Sequence, residues 1–324
     1  MPNSPASPQP NKSFLAWWQF IRGPLPAVLI VVVVLLELAL RVLVPAGQKP
    51  VGPYYAPELR TKVEQYKSSL PFDLMLTGSS VAAVNHSSSE VARTSNAVGK
   101  GISMFNAGIR GCNFICITPV LNELFLPISQ PDVLLIVVSP ADLSETHAYR
   151  HRQSQKYRQA VSAAPLNREL KRVSSDCFWL YGFRREIVQF AKTQTWQYEN
   201  LVEDLGYVNM GSTPRKWRNP ALGFDHEGPA SKALFRLVKT ALEREIRVLI
   251  LPALGSEELR NTFPPKQQAQ FFDILYQTER IAAPSGYSAR VIEELTPPEP
   301  LDYIDGVHLT AESALLQSSA LVKK

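Results

Sequence analysis

The sequence predicts an α/β protein with a parallel sheet of about five strands, preceded by one transmembrane helix. Two observations support this prediction. After residue 70, short continuous apolar runs alternate with longer helical segments, which is typical of a parallel sheet covered on both faces. Before them comes a single apolar run that is long enough to cross a bilayer as a helix. The 324 residues suffice for one large α/β domain with an appendage.

Composition favours an ordinary globular chain. Apolar residues make up 45% of the sequence, enough to form a core, so global disorder is not expected. The net charge of +5 permits contact with anionic lipid or an acidic polymer but requires neither. No basic run is interleaved with aromatic residues, so we expect no nucleic-acid partner.

The cysteines do not indicate a disulfide framework or a zinc site. There are three of them, Cys112, Cys116 and Cys177, and no two are spaced as CxxC. We interpret Cys112 and Cys116 as small residues of the core. They leave the cellular compartment undecided.

The N-terminal part of the chain predicts a membrane anchor. Residues 1–23 are read as a disordered cytoplasmic tail with an interface segment, and residues 24–44 as the transmembrane helix. The fifteen Leu, Ile and Val residues of that run favour insertion by about 7 kcal/mol in total. Glu37 and Arg41 oppose insertion, but they lie off-centre and four residues apart, so they can pair on one helix face.

Three other interpretations of this run stay open. A cleaved signal peptide is one, although the run exceeds a usual signal core and "VPAGQ" is a marginal cleavage site. A buried core helix is another. Glu37 and Arg41 could also meet helices of a partner protein instead of each other.

The rest of the chain divides into a connector and a large domain. Residues 45–70 are predicted to be a connector with one helical stretch, and residues 71–324 an α/β domain. The predicted strands lie in the runs 72–80, 102–111, 132–143, 246–256 and 288–295. Residues 144–229 are polar, basic and aromatic without a strand pattern, so we read them as a helical insertion, either a lid or a surface excursion with no role.

Small and polar residues follow these runs, where ligands bind in open α/β sheets. Ser80 ends the first run, and Asp305 and His308 follow the last. A serine hydroxyl needs a base to take its proton, and a carboxylate can orient an imidazole for that task. The i, i+3 spacing of Asp305 and His308, with Gly306 between them, places both on one side of a turn.

Each of these motifs has a simpler explanation when taken alone. The "GSS" that ends the first run is a common turn. The Asp305–His308 motif could be a capping carboxylate and a surface histidine before the final helix. The order of the blocks along the chain favours the catalytic interpretation.

Taken together, the blocks resemble the SGNH/GDSL hydrolase superfamily. "LTGSS" resembles its first block, with Ser80 as nucleophile; "FNAGIRG" resembles the second, with Gly108; "YIDGVHLT" resembles the last. The resemblance implies a three-layer, flavodoxin-like domain and a Ser80–His308–Asp305 triad. It also implies that backbone N–H groups of Ser80 and Gly108 bind the oxyanion.

The third block departs from the family pattern. Where the family has Gly-x-Asn-Asp, this chain has Ser-Pro-Ala-Asp over 139–142, so Ala141 replaces an oxyanion-binding Asn. Losing one such donor costs about 2.7–4 kcal/mol of transition-state stabilisation. Candidate substitute donors are Asn85, Asn106 and Asn113. Otherwise catalysis would be slow, or the protein would be non-catalytic.

Within this superfamily, a membrane-anchored chain with "GSS" and no Asn in the third block most resembles one subgroup. Its members act with membrane-bound acyltransferases in cell-envelope acylation. It implies an extracytoplasmic domain, a carbohydrate or polymer acceptor and a membrane-bound acyltransferase partner. The predicted function is a serine acyl esterase or O-acyltransferase. The alternatives are an anchor subunit and a binding module that uses basic and aromatic residues of the insertion, namely Arg150, Arg152, Arg184, Arg185 and Trp217.

No cofactor is expected. The remaining histidines, His86, His147, His151 and His226, have no metal-like spacing and no cluster of carboxylates beside them, so we also predict no metal site.

Overall fold

A computed structural model describes residues 24–43, 57–146, 148–161, 223–281, 286–292 and 300–323, with shorter pieces at 170, 173–174, 177–183, 187–188, 202, 204–208 and 295. The chain divides into two compact units. The larger comprises residues 51–171 and 199–324, and the smaller comprises residues 1–50 and 172–198. The predicted N-terminal tail, 1–23, lies outside the described residues.

A five-stranded parallel sheet forms the centre of the larger unit. Its strands are β1 Leu74–Gly78, β2 Met104–Asn106, β3 Val133–Val138, β4 Arg247–Pro252 and β5 Ala289–Val291. Each lies within one of the five predicted runs, so that prediction is confirmed. The spatial order β2-β1-β3-β4-β5 is the flavodoxin-like order that the SGNH/GDSL resemblance implies.

Helices alternate with these strands along the chain. In chain order across both units they are α1 Pro24–Leu43, α2 Pro57–Ser68, α3 Ser80–Asn85, α4 Ser88–Ala97, α5 Phe114–Val120, α6 Pro140–Leu143, α7 Ala148–Val161, α8 Trp179–Gly182, α9 Pro229–Glu243, α10 Glu257–Thr262, α11 Pro265–Thr278 and α12 Ala311–Leu321. A π-helical turn, Leu121–Phe125, extends α5.

The sheet is covered on both faces. Along β3, Leu134, Ile136 and Val138 belong to one buried cluster, while Leu135 and Val137 belong to another. Alternate residues of a strand point to opposite faces, so the two clusters mark the two faces of the sheet. Helices α2, α5, α9 and α11 contribute to the first cluster, and α3, α4 and α10 to the second.

Helix α2 packs in the core, although its residues were predicted to be part of a connector. Leu59, Val63 and Tyr66 are buried. The Tyr66 ring lies 4.9 Å from Phe105 and 5.4 Å from Phe125, and its hydroxyl donates a hydrogen bond to the Ser129 carbonyl. The domain therefore begins before residue 70. Charged residues interrupt the apolar stripe of α2, and this explains why residues 45–70 were predicted to be a connector.

Cys112 and Cys116 are buried, as expected, but they are joined in a disulfide. Their Cα atoms lie 5.7 Å apart across the start of α5. Their interpretation as small core residues did not include a bond between them. Cys112 lies just before Asn113, the N-cap residue of α5, and Cys116 lies in the first turn of that helix, so the entry of the chain into the helix brings the two sulfur atoms together.

The smaller unit contains α1 and α8. Glu37 and Arg41 pair at 3.0 Å, as expected for i, i+4 residues. Glu37 also accepts hydrogen bonds from the backbone N–H groups of Trp179 and Leu180, the first two residues of α8. The carboxylate thus satisfies N–H groups that a helix leaves unpaired at its N-terminus.

The predicted transmembrane segment is helical over Pro24–Leu43. Among the described residues, no helix combines the length and the apolar character that crossing a bilayer requires.

The predicted insertion, 144–229, is helical over α7 and α8. Strand pairing in its described part is limited to isolated bridges, Ser144 with Phe224 and Val202 with Val208. Arg152 is exposed on α7. Arg184, Arg185, Trp217 and His147 lie outside the described residues, as do the side chains of Arg150 and His151. The role of this insertion as a lid stays a prediction.

Replacing Tyr66 by Ala tests whether α2 belongs to the core. We expect Tyr66→Ala to lower the free energy of unfolding by about 3–5 kcal/mol, because it opens a cavity among aromatic rings. Tyr66→Phe keeps the ring and should cost only about 1 kcal/mol through the lost hydrogen bond. Urea unfolding measures both. A loss for Tyr66→Ala no larger than that of exposed Tyr276→Ala would show that α2 is a connector.

Candidate functional site

The candidate residues follow strands at the carboxyl edge of the sheet. Strand order reverses between β1 and β3, which are neighbours, and in open α/β sheets ligands bind outside the strand ends at such a point. Ser80 follows β1 and residues 139–142 follow β3. Asp305 and His308 come after β5, in a loop before α12.

A sharp strand-to-helix turn presents Ser80. Gly78 ends β1 with φ +148°, and Ser80 begins α3 after a single extended residue. A Cβ on Gly78 would lie 2.8 Å from the Ala82 side chain, so the turn needs glycine there. The Ser79 side chain does not cap α3. The turn therefore leaves the Ser80 backbone N–H at an uncapped helix start.

Asp305 and His308 form a closely hydrogen-bonded pair. His308 Nδ1 lies 2.9 Å from Asp305 Oδ1 and 2.8 Å from Oδ2. The carboxylate also accepts the backbone N–H of His308 at 3.0 Å. Gly306, with φ +81°, permits the tight turn between them. A carboxylate only accepts hydrogen bonds, so in the neutral imidazole the ring proton lies on Nδ1 and Nε2 is left as an acceptor.

The Asp305 carboxylate is stabilised in its ionised form. Burial opposes ionisation, but hydrogen bonds from the His308 ring and from backbone N–H groups outweigh it and lower the pKa of Asp305. Asp305 therefore stays charged at neutral pH and can stabilise a protonated imidazole.

His308 Nε2 is buried and has no hydrogen-bond partner among the described residues. Ser80 Oγ therefore does not donate to it in this structure. Catalytic hydrogen bonds are often long or unformed before substrate binds and tighten in the complex. Asn85, the last residue of α3, connects the two parts: its side chain hydrogen-bonds to Val307 and Leu309, on either side of His308.

Gly108 packs against the Ser80 helix, but its N–H is already occupied. A Cβ there would lie 2.5 Å from the Ala83 nitrogen, so only glycine allows this approach. The Gly108 N–H donates to Asn106 Oδ1 at 2.9 Å. The structure thus brings the predicted oxyanion loop to α3 with its donor turned to a protein acceptor.

The third block forms a helix cap. Ser139 caps α6, and Asp142 Oδ2 accepts its backbone N–H at 2.9 Å and its hydroxyl at 2.8 Å. Ala141 lies within this short helix and contributes only a methyl group. No amide donor is supplied by this block.

The three candidate substitute donors differ in what their amides contact. Asn85 Nδ2 donates to the Val307 carbonyl, and Asn106 Nδ2 donates to the carbonyls of Ala82 and His86. These contacts argue against Asn85 and Asn106 as substitutes. Asn113 Nδ2 is buried and has no partner among the described residues. Its Oδ1 caps α5 by accepting the Ile115 N–H, so its amide is held in place.

Lys62, which was not predicted as a site residue, supports the Gly108 loop through hydrogen bonds to its backbone. It is fully buried, and Nζ donates to the carbonyls of Asn106 and Gly108. Glu58 Oε1 lies 3.9 Å from Nζ. Loss of solvent lowers the pKa of Lys62 to about 8, despite the opposing effect of Glu58. A lysine within the apolar stripe of α2 was the signal that could have identified it.

Two further histidines, His86 and His226, have described side chains. His86 is buried and neutral, because desolvation lowers its pKa to about 4. His226 Nε2 lies 3.0 Å from Asp273 on the surface. Within the described ranges, His, Cys, Asp and Glu side chains do not come together in a group of three or more that could hold a metal ion.

Comparisons with known proteins give distant similarities. No family model matches the sequence. No curated protein matches it. The chain is similar to the structure of a lipase/acylhydrolase from Enterococcus faecalis, with a TM-score of 0.40 and 13% identity over 77% of this chain and 93% of that one. It is also similar to a G-D-S-L family protein from Desulfitobacterium hafniense DCB-2, with a TM-score of 0.37 and 11% identity over 78% and 98%. A fold does not determine a function, so the function depends on the chemistry of the site residues.

The burial of Lys62 predicts a pH dependence of stability. Its folded pKa of about 8 lies below its ordinary value of 10.5, so between these values the unfolded chain binds the extra proton. The free energy of unfolding of the wild type relative to Lys62→Met should therefore rise across this interval. Urea unfolding at stepped pH measures it.

Lys67→Met is the matched control, because Lys67 is exposed on the same helix. It should leave the pH dependence of the wild type unchanged. Equal slopes for wild type and Lys62→Met would contradict the assignment.

Proposed function

We propose that this protein is a serine acyl esterase or O-acyltransferase, with Ser80 as nucleophile, His308 as base and Asp305 as the group that orients the imidazole. One observation supports this most: both carboxylate oxygens of Asp305 contact Nδ1, and Nε2 is buried with no partner among the described residues. An imidazole held in this way can accept a proton only at Nε2.

The proposed reaction proceeds through an acyl-enzyme. Ser80 Oγ attacks the carbonyl carbon of an ester and its proton passes to His308 Nε2. The tetrahedral intermediate collapses, the ester C–O bond breaks, and His308 returns the proton to the leaving alcohol. A water or a sugar hydroxyl then attacks the acyl carbon and gives its proton to His308 Nε2. The second tetrahedral intermediate collapses, the bond between the acyl carbon and Ser80 Oγ breaks, and His308 returns the proton to Oγ. The reaction is a hydrolysis if the acceptor is water and an acyl transfer if the acceptor is a sugar hydroxyl.

Three groups are candidates to bind the oxyanion. The Ser80 N–H lies at the uncapped start of α3. Asn113 offers a buried amide without a partner in the described part of the chain. Gly108 could contribute only if its hydrogen bond to Asn106 Oδ1 were replaced by one to substrate.

Two features support attachment to a membrane, with the α/β domain outside the cytoplasm. Helix α1 exposes a long set of large apolar side chains, and exposed apolar surface of this extent is typical of a lipid or protein contact. They are Val28, Leu29, Ile30, Val31, Val32, Val33, Val34, Leu35, Leu36, Leu38 and Val42. Disulfides such as Cys112–Cys116 persist mainly in oxidising compartments. A cell-envelope carbohydrate or polymer as acceptor, and a membrane-bound acyltransferase as partner, complete the proposal.

The occupied Gly108 N–H favours a second candidate function. With Ala141 in the third block and Gly108 bonded to Asn106, the site could bind an acylated polymer without cleaving it. Binding of a polysaccharide that survives Ser80→Ala, with no esterase activity in the wild type, would select this alternative.

Replacing Ser80 tests the enzyme directly. Ser80→Ala should abolish hydrolysis of p-nitrophenyl acetate and labelling by a fluorophosphonate, because the hydroxyl is the attacking group. Ser79→Ala removes a hydroxyl from the neighbouring residue and serves as the matched control. It should keep most of the labelling. If wild type and Ser80→Ala label equally, the proposal is wrong.

Charged substitutions in α1 test membrane attachment. Leu35→Lys with Leu36→Lys should release the protein from phospholipid vesicles, because two lysines oppose insertion by about 5–7 kcal/mol. The control is Val98→Lys with Leu315→Lys, two exposed apolar residues of the larger unit. It should remain bound in vesicle flotation. Equal flotation of both variants would remove α1 as the anchor.

A further inference from the structure

The Asn85 side chain bridges the two halves of the candidate site. Its Nδ2 donates to the Val307 carbonyl at 2.9 Å, and its Oδ1 accepts the Leu309 N–H at 2.9 Å. Val307 and Leu309 flank His308 in the sequence. One amide therefore holds the backbone on both sides of the proposed base.

Asn85 stands on the same short helix as the proposed nucleophile. Helix α3 runs from Ser80 to Asn85 and all six of its residues are buried. Its far end is fixed by Asn106, which donates to the Ala82 and His86 carbonyls, and by the Val208 N–H, which donates to Ala83. A buried helix held at its end is a rigid spacer of about 1.5 Å per residue.

The loop that carries Asp305 and His308 has internal order of its own. The Ile304 N–H donates to the His308 carbonyl at 2.7 Å, and Tyr303 and Leu309 form an antiparallel bridge. These bonds fix Asp305 against His308. Within the described residues, the hydrogen bonds that join this loop to α3 are the two made by Asn85.

We propose that Asn85 is a positioning residue that sets His308 Nε2 against Ser80 Oγ. This inference rests on the proposed function. The hydrogen bonds of the Asn85 side chain go to the backbone of this loop and not to Ser80 Oγ or the His308 ring, and the residue acts by holding the His308 backbone to the nucleophile helix. Its buried amide satisfies one carbonyl and one N–H, so an apolar residue would leave both unpaired.

Asn85→Ala tests this role through the chemical step. A shift of about 1 Å between reacting groups can cost about 100-fold in rate. We expect kcat for p-nitrophenyl acetate and the fluorophosphonate labelling rate to fall by about that factor, while KM changes by less than about threefold. Ile274→Ala is the matched control, because it removes buried apolar atoms from α11 without touching the site. It should keep kcat at temperatures where both variants are folded.

Amide hydrogen exchange at Leu309 provides a readout that does not need activity. The Leu309 N–H should exchange slowly in wild type and in Ile274→Ala, and faster in Asn85→Ala. Faster exchange with unchanged kcat would overturn the positioning role, and so would an equal loss of kcat in Ile274→Ala. Unchanged exchange in Asn85→Ala would overturn the bridge itself.

The two proposals can fail separately. If the wild type shows no Ser80-dependent labelling, the proposed function is wrong and with it the catalytic role of Asn85. Leu309 exchange would still decide whether Asn85 holds the loop.

Discussion

The Asp305–His308 contact determines the chemistry available to this site. An imidazole has two nitrogens, and which one can accept a proton depends on what the other one meets. Here both carboxylate oxygens lie within hydrogen-bond distance of Nδ1, and backbone N–H groups of the same turn hold the carboxylate. Hydrogen bonds lower the pKa of Asp305 in spite of burial. The same turn therefore fixes the tautomer and keeps the stabilising charge.

The rest of the site consists of loops whose backbone polar groups form hydrogen bonds with buried side chains. The Asn106 side chain holds α3 by donating from Nδ2 to the Ala82 carbonyl, and it holds the Gly108 loop by accepting the Gly108 N–H at Oδ1. Lys62 fills the space beneath that loop and donates to two of its carbonyls. Asp142 performs the corresponding task after β3 by capping α6. Buried backbone groups demand such partners, so the shape of the site depends on side chains that take no part in a reaction.

How far the sequence predicts this molecule depends on the range of the interaction. The five strands follow from continuous apolar runs, and the Asp305–His308 pair follows from a three-residue spacing with glycine between. Both are local signals. The bridge from Asn85 to Val307 joins residues 222 positions apart, and no local pattern indicates it. The helix at α2 was predicted, but its place in the core was not, for a related reason: only the packed core shows that its apolar stripe is buried.

The base and the oxyanion loop differ in whether their hydrogen-bonding groups already have a protein partner. On the base side, Nε2 has no partner among the described residues. On the oxyanion side, the Gly108 N–H already donates to the neutral amide oxygen of Asn106. A substrate carbonyl is also neutral and would gain little by displacing that oxygen. An oxyanion is a stronger acceptor, because hydrogen bonds to charged groups are roughly twice as strong. If the Gly108 N–H leaves Asn106 only when the oxyanion forms, it stabilises the transition state more than the bound ester. Only an interaction that is stronger in the transition state accelerates the chemical step. The occupied N–H is therefore compatible with catalysis if Asn106 can yield it, and the hydrogen bonds that tie Asn106 to α3 oppose that movement.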